Sequence, residues 1–115
     1  MFSIFLLSFI APENTFEQVG IASYYHNKFE GRKTSSGEIF SQSNLTAAHK
    51  SLPLGTWVKV TNLKNDSVVT VKINDRLPYY SKRLIDLSFR AATQLNFIRA
   101  GLTKVKIEPA DLLKD

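Results

Sequence analysis

Cysteine is absent from the 115-residue sequence, and histidine occurs only twice. Without cysteine the chain forms no disulfide bond, has no thiolate nucleophile and offers no thiol ligand to a metal. The two histidines, His26 and His49, lack the close spacing of a metal site. We therefore expect neither a metal nor another cofactor. The lack of cysteine does not decide the cellular compartment.

Long apolar segments are also missing. Residues 2–11 form a mostly apolar run that is too short to span a bilayer, and Pro12 follows it. The run has the length of a signal-peptide core but lacks a positively charged leading segment. The alternatives are a strand or helix packed on the domain, and a mis-assigned start codon. We expect residues 1–16 to lie outside the fold and the protein to be exported to the periplasm or cell envelope.

Acidic residues are fewer than basic ones, with 10 aspartates and glutamates against 15 lysines and arginines and a net charge of +5. This charge favours a polyanionic partner. The basic residues are scattered singly, without a dense basic helix or a recognisable nucleic-acid motif. A nucleic-acid-binding barrel is therefore the weaker hypothesis, and we expect no nucleic-acid partner. An acidic polysaccharide or an anionic envelope surface fits the same charge.

Alternating apolar residues predict which side chains face the core. Val69, Val71 and Ile73 share one parity, which predicts that they point inward along a strand. Asp75 continues this parity and is expected at the rim of the core. The same argument places Trp57 on the outer face of its strand. We expect the N-terminal segment, or else an external glycan or protein, to cover Trp57, with partial exposure as the alternative.

Short strands separated by turns indicate a mainly β fold, a small barrel. The strand-like segments are VGIASYY, TWVKVTN, SVVTVKIN, RLIDLS and TKVKIEP, and the second and third of them are expected to form a hairpin. Ser88 is a suitable N-cap for a helix over residues 89–97.

Three polar residues are candidates for chemistry, and each also has an ordinary structural interpretation. Glu38 follows a Ser-Ser-Gly turn and could be a solvated loop carboxylate. His49 could be a half-buried imidazole whose hydrogen bonds are satisfied. Asp75 precedes Arg76 and could be a turn residue in a surface ion pair, which contributes little to stability.

A series of motifs occurs in order along the chain: GIASYY, FEGRKTSSGE, LTAAHKSLPLGT, VTN, INDRLP and RLIDLS. In these motifs and their spacing, from about residue 20 to residue 107, the sequence resembles the RlpA (rare lipoprotein A) family. The resemblance implies a six-stranded double-psi β-barrel with one or two short helices over residues 17–110, followed by a tail of residues 111–115. It also implies a peptidoglycan lytic transglycosylase that cleaves glycan strands, prefers strands without stem peptides, and acts in cell-wall organisation and daughter-cell separation.

The same resemblance assigns the catalytic roles to Asp75, Glu38 and His49, and we expect these side chains to converge in one open groove. Asp75 would donate the proton, with a pKa raised by burial and by the nearby charge of Glu38. His49 would orient a carboxylate or share a proton. Direct contact with Arg76 would lower the pKa of Asp75, so we expect the guanidinium to contact the sugar's lactyl carboxylate or a backbone carbonyl instead. Asp86, flanked by Ile85 and Leu87, is a second inward candidate for catalysis, but we expect it to be structural and to accept backbone N–H groups near the helix start.

The sequence departs from the family pattern at several positions. Leu77 replaces the glycine after Asn-Asp-Arg, so the loop beside Asp75 need not have the family's shape. The family's tryptophan in the first motif is a tyrosine here, and without cysteine no lipid anchor is expected. The tyrosines are expected to line the groove and stack on sugar rings, or in part to fill the barrel and its rim: Tyr24, Tyr25, Tyr79 and Tyr80.

The main alternative is a non-catalytic, expansin-like module that binds polysaccharide without cleaving it, because a fold by itself does not establish an enzyme. In both cases the expected partner is the glycan strand of peptidoglycan. Proteins of the division septum are further expected partners, and the protein is expected to be a monomer.

Overall fold

The computed structural model describes residues 16–111, which form a closed barrel of six strands and one short helix. The strands are β1 (Gln18–Tyr24), β2 (Thr46–His49), β3 (Trp57–Asn62), β4 (Val68–Asp75), β5 (Ile85–Leu87) and β6 (Thr103–Pro109). A 3-10 turn, Asn27–Phe29, follows β1, and the helix α1, Phe89–Gln94, follows β5.

Around the barrel the strands lie in the order β1-β5-β2-β4-β3-β6, and β6 pairs with β1. The β1–β5 and β2–β4 pairs are parallel, whereas the other four pairs are antiparallel. The predicted hairpin is the β3–β4 pair. The predicted mainly β, six-stranded double-psi barrel with a short helix is confirmed.

The core is built by the inward faces of the strands, as the alternation predicted. In β4, Val69, Val71 and Ile73 are buried, while Asp75 at the strand's end is half-buried at the rim. Asn74 departs from the alternation, since it has the outward parity but is only 3% exposed. The 34–38 loop covers this side of the strand, with Ser36 N–H donating to the Asn74 carbonyl at 3.1 Å.

The helix begins where the sequence predicted and ends earlier. Ser88 is its N-cap and accepts a hydrogen bond from the Ala91 N–H at 3.2 Å. The helix ends at Gln94 because Asn96 adopts a left-handed φ of 56°, which the α-helix does not accommodate. Leu95 is fully buried against the barrel.

Trp57 points outward, as predicted, and is 38% exposed, whereas the neighbouring Val58 is fully buried. Its predicted covering by the N-terminal segment concerns residues 1–15, which lie outside the described residues. Phe16 packs against the core, so the fold includes one residue that we expected to lie outside it. Among residues 16–111, no helix has the length and apolar character needed to cross a membrane.

Candidate active site

Asp75 lies at the end of β4 and receives four hydrogen bonds. Its Oδ1 accepts from the Ser35 N–H at 3.0 Å, from the Ser35 hydroxyl at 2.8 Å and from the Arg76 N–H at 2.9 Å. Its Oδ2 accepts from the Tyr25 hydroxyl at 2.6 Å. These donors come from three parts of the chain, so the carboxylate joins the end of β1, the 34–38 loop and the end of β4.

The hydrogen bonds determine the charge of Asp75. Burial would raise the pKa of this carboxyl, but the donors from Tyr25, Ser35 and the Arg76 backbone together hold the pKa below its ordinary value. Asp75 is therefore a carboxylate in the free protein at neutral pH. The prediction of a raised pKa was wrong because it considered burial and neighbouring charge and did not include hydrogen-bond donors.

A cleft of about 550 Å³ contains Asp75. Its walls carry aromatic rings, cationic side chains and a second carboxylate, which is the composition of a site for a polar ring bearing a negative group. Among the residues that line it are Tyr24, Tyr25, Phe29, Lys28, Arg76, Arg83 and Asp86.

Asp86 lies in the same cleft and is held by side chains. It accepts the Ser23 hydroxyl at 2.6 Å and two hydrogen bonds from the Arg83 guanidinium, at 2.7 and 2.9 Å. A structural role was predicted, but its described partners are these side chains and not the backbone N–H groups that we expected. This two-point pairing fixes Arg83 at the wall of the cleft.

Arg76 turns away from the Asp75 carboxylate. Its guanidinium donates to the His49 carbonyl at 3.3 Å. A backbone carbonyl was one of the two partners predicted from the sequence, so the positive charge reinforces the β2–β4 edge. Leu77, at the position where the family has glycine, is buried, and its N–H donates to the same carbonyl at 3.4 Å.

Glu38 occupies a different cleft, of about 350 Å³, whose lining includes Trp57 and Arg90. Its carboxylate forms an ion pair with the Lys72 ammonium at 2.6 Å and accepts from the Asn74 amide at 3.1 Å. The hydrogen bond from Lys72, followed by that from Asn74, lowers the pKa of Glu38.

His49 lines a third cleft, together with Gln18 and Arg83. Its Nδ1 accepts two backbone N–H groups, from Ser51 at 3.1 Å and Leu52 at 3.0 Å. Nδ1 is therefore unprotonated, and Nε2–H donates to Gln18 Oε1 at 2.9 Å. Burial, with a smaller contribution from nearby positive charges, lowers the pKa of His49 and keeps it neutral. Within residues 16–111 the imidazole forms no hydrogen bond to a carboxylate.

The three predicted catalytic side chains line three adjoining clefts: those of Asp75 and His49 share Arg83, and the 34–38 loop that carries Glu38 also donates to Asp75 through Ser35. Their convergence in one open groove stays a prediction. Glu38 is held by Lys72 and Asn74, and the pairing of β4 with β2 shifts register between Ile73 and Asp75, so Asn74 interrupts the alternation next to Asp75. The partners that do meet Asp75 are Tyr25 and Ser35. Sequence reasoning missed Ser35, although its place in a Ser-Ser-Gly turn indicated a loop with free backbone N–H groups.

The four tyrosines differ in what their rings contact. Tyr24 donates its hydroxyl to the Ile98 carbonyl at 2.9 Å, and its ring packs edge-on against two phenylalanines. Tyr25 is stacked on the buried Phe40. Tyr79 and Tyr80 are 88% and 74% exposed and leave most of their surface open for stacking.

In the described part of the chain, no group of three His, Cys, Asp or Glu residues could hold a metal ion.

Comparison with known proteins identifies the family to which this barrel belongs. The family model described as lytic transglycolase matches residues 17–107. Two solved structures share the fold at 20% identity: a Streptomyces papain inhibitor, with a TM-score of 0.65 over 81% of this chain and 93% of that one, and an expansin from Clavibacter michiganensis, with a TM-score of 0.66 over 84% and 52%. At this identity the likeness concerns the fold alone.

The chain belongs to the lytic transglycolase family. It is 50% identical over 96 residues to the endolytic peptidoglycan transglycosylase RlpA of Haemophilus influenzae, covering 84% of this chain and 33% of that protein. It is 53% identical over 89 residues to the protein of the same name from Campylobacter jejuni, covering 77% and 32%. The chain therefore spans about a third of the length of these relatives.

Proposed function

We propose that this barrel is a peptidoglycan lytic transglycosylase domain. It cleaves the glycan strand after N-acetylmuramic acid, leaves a 1,6-anhydro end, and prefers strands that lack stem peptides. The names of the RlpA relatives support the reaction. The observation that carries the proposal is the half-buried Asp75 carboxyl, held by four hydrogen bonds in a cleft lined by aromatic and cationic side chains.

The reaction needs one group that gives and takes a proton. The C6 hydroxyl of N-acetylmuramic acid attacks C1 of the same sugar, so the nucleophile is already tethered and water is not consumed. Protonated Asp75 gives its proton to the leaving glycosidic oxygen as the C1–O bond breaks. The resulting carboxylate stabilises the oxocarbenium-like transition state and takes the C6 hydroxyl proton as the O6–C1 bond forms. The enzyme ends in the protonation state in which it began.

Asp75 must gain a proton when the glycan binds, because it is ionised in the free protein at neutral pH. A sugar that covers the cleft excludes water from the carboxyl, and burial is the influence that raises its pKa. The proposal therefore predicts that cleavage is favoured at acidic pH and declines as the pH rises.

The remaining predicted residues support this centre from nearby surfaces. Tyr79 and Tyr80 supply exposed aromatic faces for sugar stacking, and Arg76 holds the β2–β4 edge. Glu38 lies in the adjoining cleft beside Lys72 and Asn74, where we propose that it contributes to binding the strand beyond the cleavage site. His49 positions the turn after β2.

The proposal includes the protein's place in the cell. Peptidoglycan lies outside the cytoplasmic membrane, so the domain acts after export, in the periplasm or cell envelope. We propose a monomer that works at the division septum with septal proteins and contributes to daughter-cell separation.

The proposal is tested by incubating the protein with glycan strands stripped of stem peptides and analysing the products by mass spectrometry. Fragments ending in 1,6-anhydro-N-acetylmuramic acid are expected from the wild type. Intact strands would reject the activity, and fragments with ordinary reducing ends would indicate hydrolysis instead. The same incubation with strands that retain their peptides tests the substrate preference.

The ionised state of Asp75 favours one second candidate, a non-catalytic expansin-like module that binds the glycan. Such a module has no need of a proton on this carboxyl. Co-sedimentation with peptidoglycan in the absence of any product by mass spectrometry would support it.

A further inference from the structure

Tyr25 holds its hydroxyl in a fixed position. Its ring stacks on Phe40, with centroids 4.2 Å apart and planes 20° apart, and meets the edge of Phe29 at 5.7 Å. Its N–H donates to the Leu87 carbonyl at 3.0 Å, and its carbonyl accepts the Gln42 amide at 2.9 Å. One face of the ring is therefore occupied by Phe40, and the ring and backbone contacts together hold the hydroxyl in place.

The two oxygens of Asp75 have donors of different kinds. Oδ1 accepts two backbone N–H groups, which donate and cannot accept. A proton on Oδ1 would point at these N–H groups, which cannot accept it, so Oδ1 remains an acceptor and the proton of a neutral Asp75 belongs on Oδ2. Oδ2 has the Tyr25 hydroxyl as its donor within residues 16–111. A hydroxyl can donate to a carboxylate or, after rotation of its hydrogen alone, accept from a carboxylic acid.

We propose that Tyr25 is a positioning residue that acts through Asp75: its hydroxyl orients Oδ2 as the oxygen that carries the catalytic proton, accepts a hydrogen bond from that proton while the cleft is empty, and donates to Oδ2 again once the proton has turned to the glycosidic oxygen of the bound glycan. This inference deepens the proposed function and rests on it for its kinetic consequences. The Tyr25–Oδ2 distance of 2.6 Å suits either direction of the hydrogen bond.

The electrostatic surroundings keep Tyr25 a neutral hydroxyl. Burial raises its pKa far above the ordinary value, and the hydrogen bond to Asp75 and the charges of Asp75 and Asp86 act in the same direction. The charged and titratable groups that line the cleft with Tyr25 and Asp75 are Tyr24, His26, Lys28, Arg76, Arg83 and Asp86. Of these, Arg83 is bound by Asp86, and the Arg76 guanidinium is directed to a backbone carbonyl.

The test replaces Tyr25 with phenylalanine, which keeps the ring that stacks on Phe40 and removes the hydroxyl. Loss of a donor to the carboxylate raises the pKa of Asp75. We expect a rise of about one unit, since a hydrogen bond to a charged group contributes roughly 1.5 kcal/mol and one pKa unit corresponds to about 1.4 kcal/mol. Carbon-13 NMR titration of the Asp75 carboxyl measures this pKa directly, whether or not the protein cleaves glycan.

Tyr24→Phe is the matched control, because it removes a tyrosine hydroxyl that is bonded to the Ile98 carbonyl. The pKa of Asp75 is expected to stay at the wild-type value in this variant. In the wild type, the Tyr25 Cζ resonance should shift with the midpoint of the Asp75 titration, a measurement that requires no variant. An Asp75 pKa that is equal in wild type and Tyr25→Phe, or a Cζ resonance that does not follow Asp75, overturns the inference.

The kinetic readout is the pH profile of glycan cleavage. Because Asp75 must be protonated, the falling limb at high pH should move upward in Tyr25→Phe by the same interval as the NMR pKa. A uniform loss of activity with an unshifted limb would indicate a merely structural role and reject the inference. Absence of cleavage by the wild type, with the NMR shift present, would reject the proposed function and retain the Tyr25–Asp75 coupling.

Discussion

Replacing Asp75 with asparagine tests the proposed chemistry and the hydrogen bonding of the site together. The amide has nearly the same shape as the carboxylate. Its oxygen can accept the two backbone N–H groups that Oδ1 now accepts, and its NH₂ group can donate to the Tyr25 hydroxyl. The fold should therefore persist while the titratable proton is lost. Cleavage is expected to fall by about 10² to 10⁴-fold, the range of a general acid–base group.

The expected cost in stability follows from the four donors to Asp75. Hydrogen bonds to a charged group contribute about 1.5–3 kcal/mol, against about 0.5–1.5 kcal/mol for neutral pairs. Each of the four hydrogen bonds is expected to contribute less when the charged acceptor becomes neutral. Because the carboxylate is only half-buried and solvent screens its charge, the total loss in the free energy of unfolding is reduced to roughly 2 kcal/mol. A domain of this size has about 5–15 kcal/mol of stability, so the variant remains folded.

The sign of the pH dependence provides a second test. The pKa of Asp75 is lower in the folded protein than its ordinary value of 3.8. Its contribution to stability is therefore fully present above that value and is lost as the pH falls through the lower, folded pKa. In urea denaturation, the difference between wild type and Asp75→Asn should be largest at neutral pH and should close as the pH falls below 3.8 and through the lower, folded pKa.

Asp66→Asn is the matched control, since Asp66 lies in the β3–β4 turn and does not line the Asp75 cleft. It also has a left-handed φ of 63°, which asparagine tolerates well. Cleavage should remain at the wild-type level in this variant. Full activity of Asp75→Asn would transfer the acid role to another group, and a stability difference that persists in acid would refute the hydrogen-bond argument.

Three further predictions concern the barrel and its surface. Gly20→Ala would bring a new Cβ within 2.8 Å of the Leu84 Cβ. The free energy of unfolding, measured by urea denaturation, is therefore expected to fall by about 1–3 kcal/mol, and an unchanged midpoint would contradict this packing. His49→Ala would leave two backbone N–H groups without their acceptor, so it should lower the thermal midpoint. Because the folded pKa of His49 is depressed, the contribution of His49 to the stability of the wild type should decrease as the pH falls below 6.5. Deletion of residues 1–15, which retains Phe16 on the core, should shift Trp57 fluorescence to longer wavelength and increase its quenching if the N-terminal segment covers this residue. Unchanged emission and quenching would exclude the covering.

Much of the barrel was predictable because it depends on local periodicity. The alternation in β4 identified its buried valines and placed Asp75 at the rim, and Ser88 was recognised as an N-cap. Side-chain direction in a strand and capping at a helix start involve residues within a few positions of one another, so a single sequence contains the information. The helix end was misplaced because the prediction followed the apolar periodicity past Asn96, although asparagine often takes the left-handed conformation that ends a helix.

The sequence by itself determined which residues face inward, which chemical groups are available and which family motifs they form. Only the tertiary structure decided which groups meet. Tyr25 and Asp75 are 50 positions apart, and Ser35 and Asp75 are 40 apart. Tyr25 and Asp75 come together because β5 and β2 lie between β1 and β4, and the register across these four strands aligns Asp75 with Ser23 near the end of β1. The charge of Asp75 depends on this arrangement, because a carboxyl's pKa reflects the balance between burial and the donors that reach its oxygens.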